Sequence, residues 1–264
     1  MTRLIDKLQG GKTALGLYVN SPDMVDLCGH LGLDWFMIDQ MFTANDWGKT
    51  EALMHTGEGA GITPVVRVQS NPWLGYDHRI AIDVSRALGL GLQCVLISNS
   101  EMREIEECLE VSKDWHRKAL TIHPYDSFED WDAVHDQTVE ETYVIPQPET
   151  KQALDDIETM IKTPGIKAVF IAMTDASRVI TKSHRPDFYD PRLWDYVDRA
   201  VELGREHGVA IGANTSYAYS MTEIRKRIEH LQEHGVRMIM AQGANFLFQV
   251  AMTELIRELE PMLS

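Results

Sequence analysis

The feature that most constrains the fold is a repeat of short apolar or β-branched runs, separated by amphipathic stretches, along the whole chain. Such an alternation is typical of repeated βα units, whose strands pair in parallel. The eight candidate strands cover residues 13–19, 35–39, 64–68, 94–98, 143–147, 168–172, 209–213 and 238–241. Eight units in 264 residues predict an α/β fold of the TIM (β/α)8 barrel type.

Helix signals occupy the stretches between the candidate strands. Ser-Pro-Asp at 21–23 is a helix start, and the periodic stretch 149–163 ends before the breaker pair Pro164-Gly165. The stretch 191–207 ends at Gly208, a residue suited to a helix C-terminus. We therefore expect one helix in each of these three segments.

A doubly wound sheet is the alternative fold. The first βα turn, at residues 19–23, lacks the G-x-G-x-x-G fingerprint of that fold. We treat 1–264 as a single barrel domain with an insertion at about 114–141, in which 118–123 alternates like an extra strand. The last helix, from about 246 to 263, is expected to cover the barrel.

Composition excludes several classes of protein. With 25 Lys and Arg against 40 Asp and Glu, the net charge of −15 would repel nucleic acid. The 3 cysteines, Cys28, Cys94 and Cys108, show no CxxC spacing, which argues against disulfides and a zinc cluster. No apolar run approaches the roughly 20 residues of a membrane span. We expect a soluble, cytoplasmic protein.

Polar side chains follow several candidate strands where those strands end. Glu149 follows the fifth strand, Asp175 follows the sixth, Asp39 ends the second, and Arg67 lies in the third. In a barrel these positions face one mouth, where two carboxylates can hold a divalent cation and leave its other positions to water and substrate. Arg67 could then stabilise an enolate oxygen. Taken singly, each carboxylate fits a helix cap equally well.

Several segments carry a family resemblance when they are taken in order. They are Ala-Leu-Gly-Leu-Tyr at 14–18, Leu-Asp-Trp-Phe-Met-Ile-Asp at 33–39, Pro-Val-Val-Arg-Val at 64–68 with Asn-Pro at 71–72, Gln-Pro-Glu-Thr at 147–150, and Pro-Gly-Ile at 164–166 with Val-Phe-Ile at 169–171 and Asp175. The set resembles the HpcH/HpaI aldolase family of class II, metal-dependent pyruvate aldolases, related to citrate lyase β subunits and macrophomate synthase. It spans nearly the whole chain and implies a TIM barrel of the phosphoenolpyruvate/pyruvate type.

The resemblance implies a role for each matching residue. It implies that Glu149 and Asp175 bind Mg²⁺, Mn²⁺ or Co²⁺ and that Arg67 stabilises the enolate. Asp39 matches the aspartate that orients the family's catalytic histidine, and Tyr18 stands where a tryptophan usually lines the pocket. The family's last helix is exchanged between subunits, and its members are commonly hexamers. We therefore expect a homo-oligomer.

The chain departs from the family pattern at the proton-transfer group. The family has Asp-x-Glu-His after the second strand, whereas this chain has Asp39-Gln40-Met41-Phe42. Phe42 thus replaces the histidine, and a phenyl ring cannot move a proton. The family's Pro- and Gly-rich loop after the fourth strand is also missing, and residues 115–125 stand in its place.

Two residues are candidates for the missing proton transfer. His123 ends the strand-like run at 118–123 and could enter the mouth, although a surface or core histidine is the simpler interpretation. Asp39 could act as a base once it has no histidine to orient. His116 and His184 have charged or proline neighbours that indicate solvated loops.

These observations predict a metal-dependent carbon–carbon lyase that acts on a 2-oxo acid through an enolate. Arg67, Asp39 and His123 are its expected catalytic residues, and Tyr18, Phe42 and Arg67 are expected to contact the substrate. Two alternatives remain open. A decarboxylase could use the same site, since loss of CO₂ generates an enolate without a base, and a barrel without turnover could simply bind a carboxylate.

Overall fold

The structure is a computed structural model that describes residues 3–69, 79–114 and 131–263. His123, the expected extra strand at 118–123 and much of the expected insertion at 114–141 lie outside these residues. Within the described part, a helix at Trp131–Glu140 immediately precedes the fifth strand. No described helix has both the length and the apolar character needed to cross a bilayer.

Strands and helices alternate along the described chain. The strands are β1 Ala14–Tyr18, β2 Trp35–Asp39, β3 Thr63–Gln69, β4 Cys94–Ser98, β5 Tyr143–Gln147, β6 Ala168–Ile171, β7 Ala210–Asn214 and β8 Met238–Gly243. The described helices are α1 Arg3–Gln9, α2 Pro22–His30, α3 Trp47–Gly59, α4 Arg79–Leu90, α5 Met102–Asp114, α6 Trp131–Glu140, α7 Lys151–Asp155, α8 Ile157–Lys162, α9 Met173–Thr181, α10 Pro191–His207, α11 Met221–Glu233 and α12 Ala244–Leu263.

The strands form one parallel sheet of the barrel type. The order is β5-β4-β3-β2-β1-β8-β7-β6, and β1 pairs with both β2 and β8. This consecutive order, closed through β1 and β8, confirms the TIM-barrel prediction and excludes the doubly wound alternative. Among the described strands, β5 and β6 form the edges of the hydrogen-bonded order, so they flank a seam in the nearly closed barrel.

The inside of the barrel is filled with apolar side chains. Trp35 and Phe170 are fully buried and meet edge to face with ring centroids 6.2 Å apart. Leu4 of α1 belongs to the same cluster, and its N–H donates to the hydroxyl of Thr63, the first residue of β3. α1 therefore closes the end of the barrel where the strands begin, which leaves the opposite end for a site.

The predicted helix signals are mostly confirmed. The hydroxyl of Ser21 accepts from the N–H of Met24 and caps α2, and α10 ends at Gly208, whose φ is 72°. The predicted helix at 149–163 is wrong in one respect, because it is two short helices, α7 and α8. Asp156 separates them with φ −86° and ψ 7°, a conformation outside the helical range that periodicity cannot reveal.

Candidate active site

The predicted site residues meet at the end of the barrel where the strands end. Tyr18, Phe42, Arg67, Glu149 and Asp175 all line one cavity of about 530 Å³. Glu149 comes from the turn after β5, and Asp175 from the first turn of α9 after β6. The two carboxylates therefore lie on either side of the seam between β5 and β6.

Neither carboxylate is a helix cap, so that interpretation of the sequence is wrong. Thr150 caps α7, since its hydroxyl accepts from the N–H of Ala153 at 3.1 Å. The N-cap position of α9 is Ala172, and Asp175 lies inside the helix. Both acidic side chains are thus available to the cavity.

Glu149 is held in an environment that disfavours its charge. Its Oε2 accepts from the N–H of Asn99 at 3.0 Å. Burial and the negative charge of Asp175 raise the pKa of Glu149 from 4.5 to about 7, against the opposing effect of Arg67. Burial also raises the pKa of Asp175. A cation between the two side chains would remove this repulsion.

Arg67 and Asp39 form a buried ion pair at the base of the cavity. Arg67 donates from Nε to Asp39 Oδ1 at 3.0 Å and from Nη2 to Asp39 Oδ2 at 2.8 Å. The N–H of Met41 donates to the same Oδ1 at 2.8 Å. Only 13% of the Arg67 side chain and 3% of the Asp39 side chain are exposed. The guanidinium is thus fixed in one orientation.

Phe42 lies over this ion pair at the cavity mouth. Its ring centroid is 5.2 Å from the Arg67 Cζ, a cation–π distance, and the residue is 74% exposed. Met41, beside it, has its sulfur 3.3 Å from the hydroxyl of Ser98. The two positions where the resemblance would place a glutamate and a histidine are therefore apolar, and Phe42 forms a wall of the cavity.

The structure adds three residues that sequence reasoning did not assign to the site. Gln147, the last residue of β5, is buried and lines the cavity, and its Oε1 has no hydrogen-bond partner among the described residues. Arg178 and His184 line this cavity and the adjoining one of about 700 Å³. His184 is exposed, as the sequence suggested, but it faces the site. Gln147 could have been assigned from the sequence, because it is the last residue of a predicted strand and begins the Gln-Pro-Glu motif.

The donor set decides which metal the site suits. No group of three or more His, Cys, Asp or Glu side chains in the described ranges is arranged to hold a metal ion. Glu149 and Asp175 offer oxygen ligands only, and the unpartnered oxygen of Gln147 lines the same cavity. One or two carboxylates completed by water and substrate are typical of a Mg²⁺ site. The residues therefore fit a hard divalent cation and do not fit a structural zinc site.

Comparison with known proteins shows which family the chain belongs to. The sequence model of HpcH/HpaI aldolase/citrate lyase matches residues 13–242, which is most of the chain. The chain belongs to the HpcH/HpaI aldolase/citrate lyase family. The predicted resemblance is thereby confirmed, and carbon–carbon lyase chemistry is the chemistry of its relatives.

Named relatives agree with this family. The chain is 25% identical over 213 residues to the hydroxypyruvate/pyruvate aldolase of Deinococcus radiodurans, covering 76% of this chain and 73% of that one. It is 23% identical over 212 residues to the 2-dehydro-3,6-dideoxy-6-sulfogluconate aldolase of Pseudomonas putida, covering 78% and 80%. An HpcH/HpaI family protein from Burkholderia cenocepacia has the same fold, with a TM-score of 0.77, 21% identity and coverage of 98% and 100%.

Proposed function

We propose that the protein is a divalent-metal-dependent, aldolase-type lyase that cleaves a carbon–carbon bond in a 2-oxo acid through an enolate. The observation that carries this proposal is the meeting of Glu149, Asp175 and Arg67 in one cavity across the seam between β5 and β6. The aldolase activities named for its relatives support the same reaction class.

Glu149 and Asp175 would hold Mg²⁺, Mn²⁺ or Co²⁺. The bound cation would act as a Lewis acid on the oxygens of the 2-oxo acid. The first N–H groups of a helix lack partners within it. In α9 the N–H of Met173 donates to Asn214 Oδ1 at 3.1 Å, so the next N–H groups, beginning with that of Thr174, which lines the cavity, are the ones that would support binding of the substrate carboxylate.

Arg67 would stabilise the enolate oxygen with its positive charge. In the cleavage direction, the electrons of the bond between C3 and the hydroxyl-bearing C4 pass into the 2-oxo acid fragment as an enolate. The C4 hydroxyl loses its proton and becomes an aldehyde, and the enolate takes a proton at C3. Two hydrogen bonds from Arg67 to Asp39 fix the guanidinium before substrate arrives, which suits stabilisation of developing charge.

The proton step needs a titratable group near C3 and C4. His123 and Asp39 remain proposals for it, and His184 joins them because it lines the cavity. The three hydrogen bonds that Asp39 already accepts favour a positioning role for it over proton transfer. Separate substitution of His123 and His184 by Gln should identify the proton carrier by a loss of roughly 10²-fold in kcat.

Decarboxylation of a small oxo acid is the second candidate. Phe42 favours it, because this apolar, exposed ring occupies the position where a base would be expected. Loss of CO₂ leaves the bonding electrons on the remaining fragment as an enolate, so no proton has to be removed first. The same metal ligands and Arg67 would serve both reactions.

We also propose that the protein acts in the cytoplasm as a homo-oligomer. Its cysteines, Cys28, Cys94 and Cys108, are buried free thiols, which suits a reducing compartment. The exposed apolar residues of α12 suit association between subunits.

The test is turnover of a panel of 2-oxo acids and 4-hydroxy-2-oxo acids by the purified protein with Mg²⁺ or Mn²⁺. Release of an aldehyde together with pyruvate indicates aldol cleavage, whereas release of CO₂ indicates decarboxylation. Glu149→Gln and Asp175→Asn should abolish turnover. The matched control is Glu202→Gln, an exposed position on α10 that lines neither cavity. Turnover that survives both active-site substitutions, or metal-dependent carboxylate binding without any turnover, would contradict the lyase proposal.

A further inference from the structure

Two different proton transfers complete the proposed reactions, and they need not use the same side chain. In aldol cleavage a base takes the proton of the C4 hydroxyl, whereas an acid gives a proton to C3 of the enolate. In decarboxylation only the second transfer occurs, because loss of CO₂ requires no proton to be removed first. The second transfer is served by a side chain that keeps its proton at neutral pH and lies beside the enolate.

The cavity of about 530 Å³ offers few such side chains among the described residues. Glu149 and Asp175 are the proposed metal ligands, and the arginines that line the cavity do not give up a proton. The remaining ionisable side chains on its wall are those of Tyr18, His184 and Tyr217. His184 is exposed, and Tyr217 is 56% exposed. Tyr18 is therefore the one that is partly withdrawn from water.

The backbone around Tyr18, the last residue of β1, holds its ring at the cavity wall. Gly16 pairs with Met240 and Tyr18 with Gly243, so two steps along β1 match three along β8, a shift of register as at a β-bulge. Such a shift changes the direction of the neighbouring side chain. A Cβ at Gly243 would lie 3.1 Å from Cδ1 of Tyr18, and the ring also packs against the apolar cluster inside the barrel. The ring is thus fixed from two sides.

The charges around Tyr18 suit a proton donor. Burial and the negative charge of Asp39 raise the pKa of Tyr18 above its ordinary value of 10.0, so the phenol keeps its proton at neutral pH. A hydrogen bond with the Thr43 side chain and the charge of Arg67 act in the opposite direction, because they stabilise the phenolate. Arg67 is also the proposed partner of the enolate oxygen, so an enolate bound there has the phenol nearby.

We infer that Tyr18 is the catalytic acid that protonates C3 of the enolate, whether the enolate arises by aldol cleavage or by loss of CO₂. The inference rests on the proposed function, which supplies the enolate. The phenol O–H bond breaks, a C–H bond forms at C3, and the enolate oxygen becomes the keto oxygen of the 2-oxo acid. Arg67 stabilises the resulting phenolate until it takes a proton from water. In aldol cleavage the base at C4 releases its proton to water, so the two transfers balance, whereas decarboxylation consumes one proton.

Exchange of the methyl protons of pyruvate in D₂O isolates this step. The residue that protonates C3 must remove a proton from C3 in the reverse direction, and exchange needs neither an aldehyde nor a base at C4. With Mg²⁺, proton NMR should show exchange by the wild type, after correction for the protein-free rate. Tyr18→Phe, which loses only the hydroxyl, should exchange more slowly by roughly 10²-fold. The matched control, Tyr219→Phe, should keep the wild-type rate, because Tyr219 is 75% exposed and lines neither cavity.

Binding of oxalate, which mimics the pyruvate enolate, separates this inference from the proposed function. Its calorimetric affinity for the Mg²⁺-loaded protein should be the same in the wild type and in Tyr18→Phe, which also shows that the variant is folded. Exchange at the wild-type rate in Tyr18→Phe, or a parallel loss of exchange and oxalate affinity, would refute the role of Tyr18 alone. A wild type that binds oxalate but exchanges no protons would refute it as well. If the wild type does not bind oxalate, the proposed function and the inference both fall.

Discussion

At the scale of single residues, the clearest electrostatic effect in the site is the raised pKa of Glu149. Burial and Asp175 raise its pKa from 4.5 to about 7, so the folded, metal-free protein holds a proton there more tightly than the unfolded chain does. The contribution of Glu149 to stability is therefore fully present below pH 4.5 and is lost as the pH rises through about 7.

Glu149→Gln should consequently stabilise the metal-free protein at pH 8 and have little effect at pH 4.5. The expected gain at pH 8 is about 1 to 3 kcal/mol, since glutamine keeps an acceptor for the Asn99 N–H and carries no charge. Urea denaturation in EDTA at the two pH values measures it, with Glu202→Gln as the control. A gain of equal size at both pH values would rule out this electrostatic explanation.

The Arg67–Asp39 pair predicts a second effect at this scale. Asp39→Asn leaves the guanidinium of Arg67 buried without its charged partner, which should cost about 3 kcal/mol of unfolding free energy. Asp190→Asn is the matched control, because Asp190 accepts from Nε and Nη2 of Arg192 with similar geometry but the Arg192 side chain is 60% exposed. Chemical denaturation measures the loss of unfolding free energy in each variant. Equal losses in the two variants would show that burial of the ion pair does not contribute.

At the scale of elements, the barrel requires close approach between neighbouring strands at Gly16 in β1. A Cβ added there would lie 2.3 Å from Cε2 of Trp35, which pairs with Gly16 in the sheet register. Trp35 is fully buried and cannot move away. Gly16 is thus a packing requirement of the β1–β2 pair.

Gly16→Ala should therefore lower the free energy of unfolding by about 1 to 3 kcal/mol. Gly59→Ala is the control, because a Cβ at the end of α3 meets nothing within 4 Å and alanine favours the helix. Thermal or urea unfolding of both variants measures the difference. A stable Gly16→Ala protein would mean that β1 and β2 pack differently.

The elements also show what the sequence could predict. The bounds of β2, β4 and β5 agree with the predicted strands, because each is a short apolar run whose residues are all buried. Placement of Glu149 and Asp175 at one mouth followed from their positions after β5 and β6. Arg178 lies one helical turn after Asp175 on α9, so its place beside the site could have been predicted from this spacing once the helix was known. The approach of Lys182 to the adjoining cavity could not be predicted, because its position depends on the left-handed conformation that ends α9, which no local sequence signal required.

At the scale of the whole molecule, α12 carries an apolar face that the described chain leaves exposed. Phe248, Leu255 and Met262 are spaced so that they share one side of the helix, and they are 67%, 44% and 79% exposed. An exposed apolar face on a terminal helix is typical of a contact surface between subunits. The hexamer that the family resemblance implies would cover it.

We therefore expect the purified protein to be an oligomer and the double variant Phe248→Glu, Leu255→Glu to dissociate. Size-exclusion chromatography with light scattering measures the mass at micromolar concentration. Leu31→Glu, at an exposed leucine that follows α2, is the control and should leave the mass unchanged. A wild-type protein that runs as a monomer would contradict the expectation.

The central claim is that Glu149 and Asp175 hold a divalent cation that, with Arg67, stabilises an enolate. Cleavage of oxaloacetate to pyruvate and CO₂ tests it most directly, because this reaction forms the enolate without a base and so does not depend on the unassigned proton carrier. The rate is corrected for the protein-free reaction with Mg²⁺. We expect the corrected rate to disappear when EDTA is added and in the Asp175→Asn variant. In Arg67→Gln it should fall by roughly 10²-fold. A wild type no faster than the protein-free reaction, or a rate that persists in Asp175→Asn, would contradict the claim.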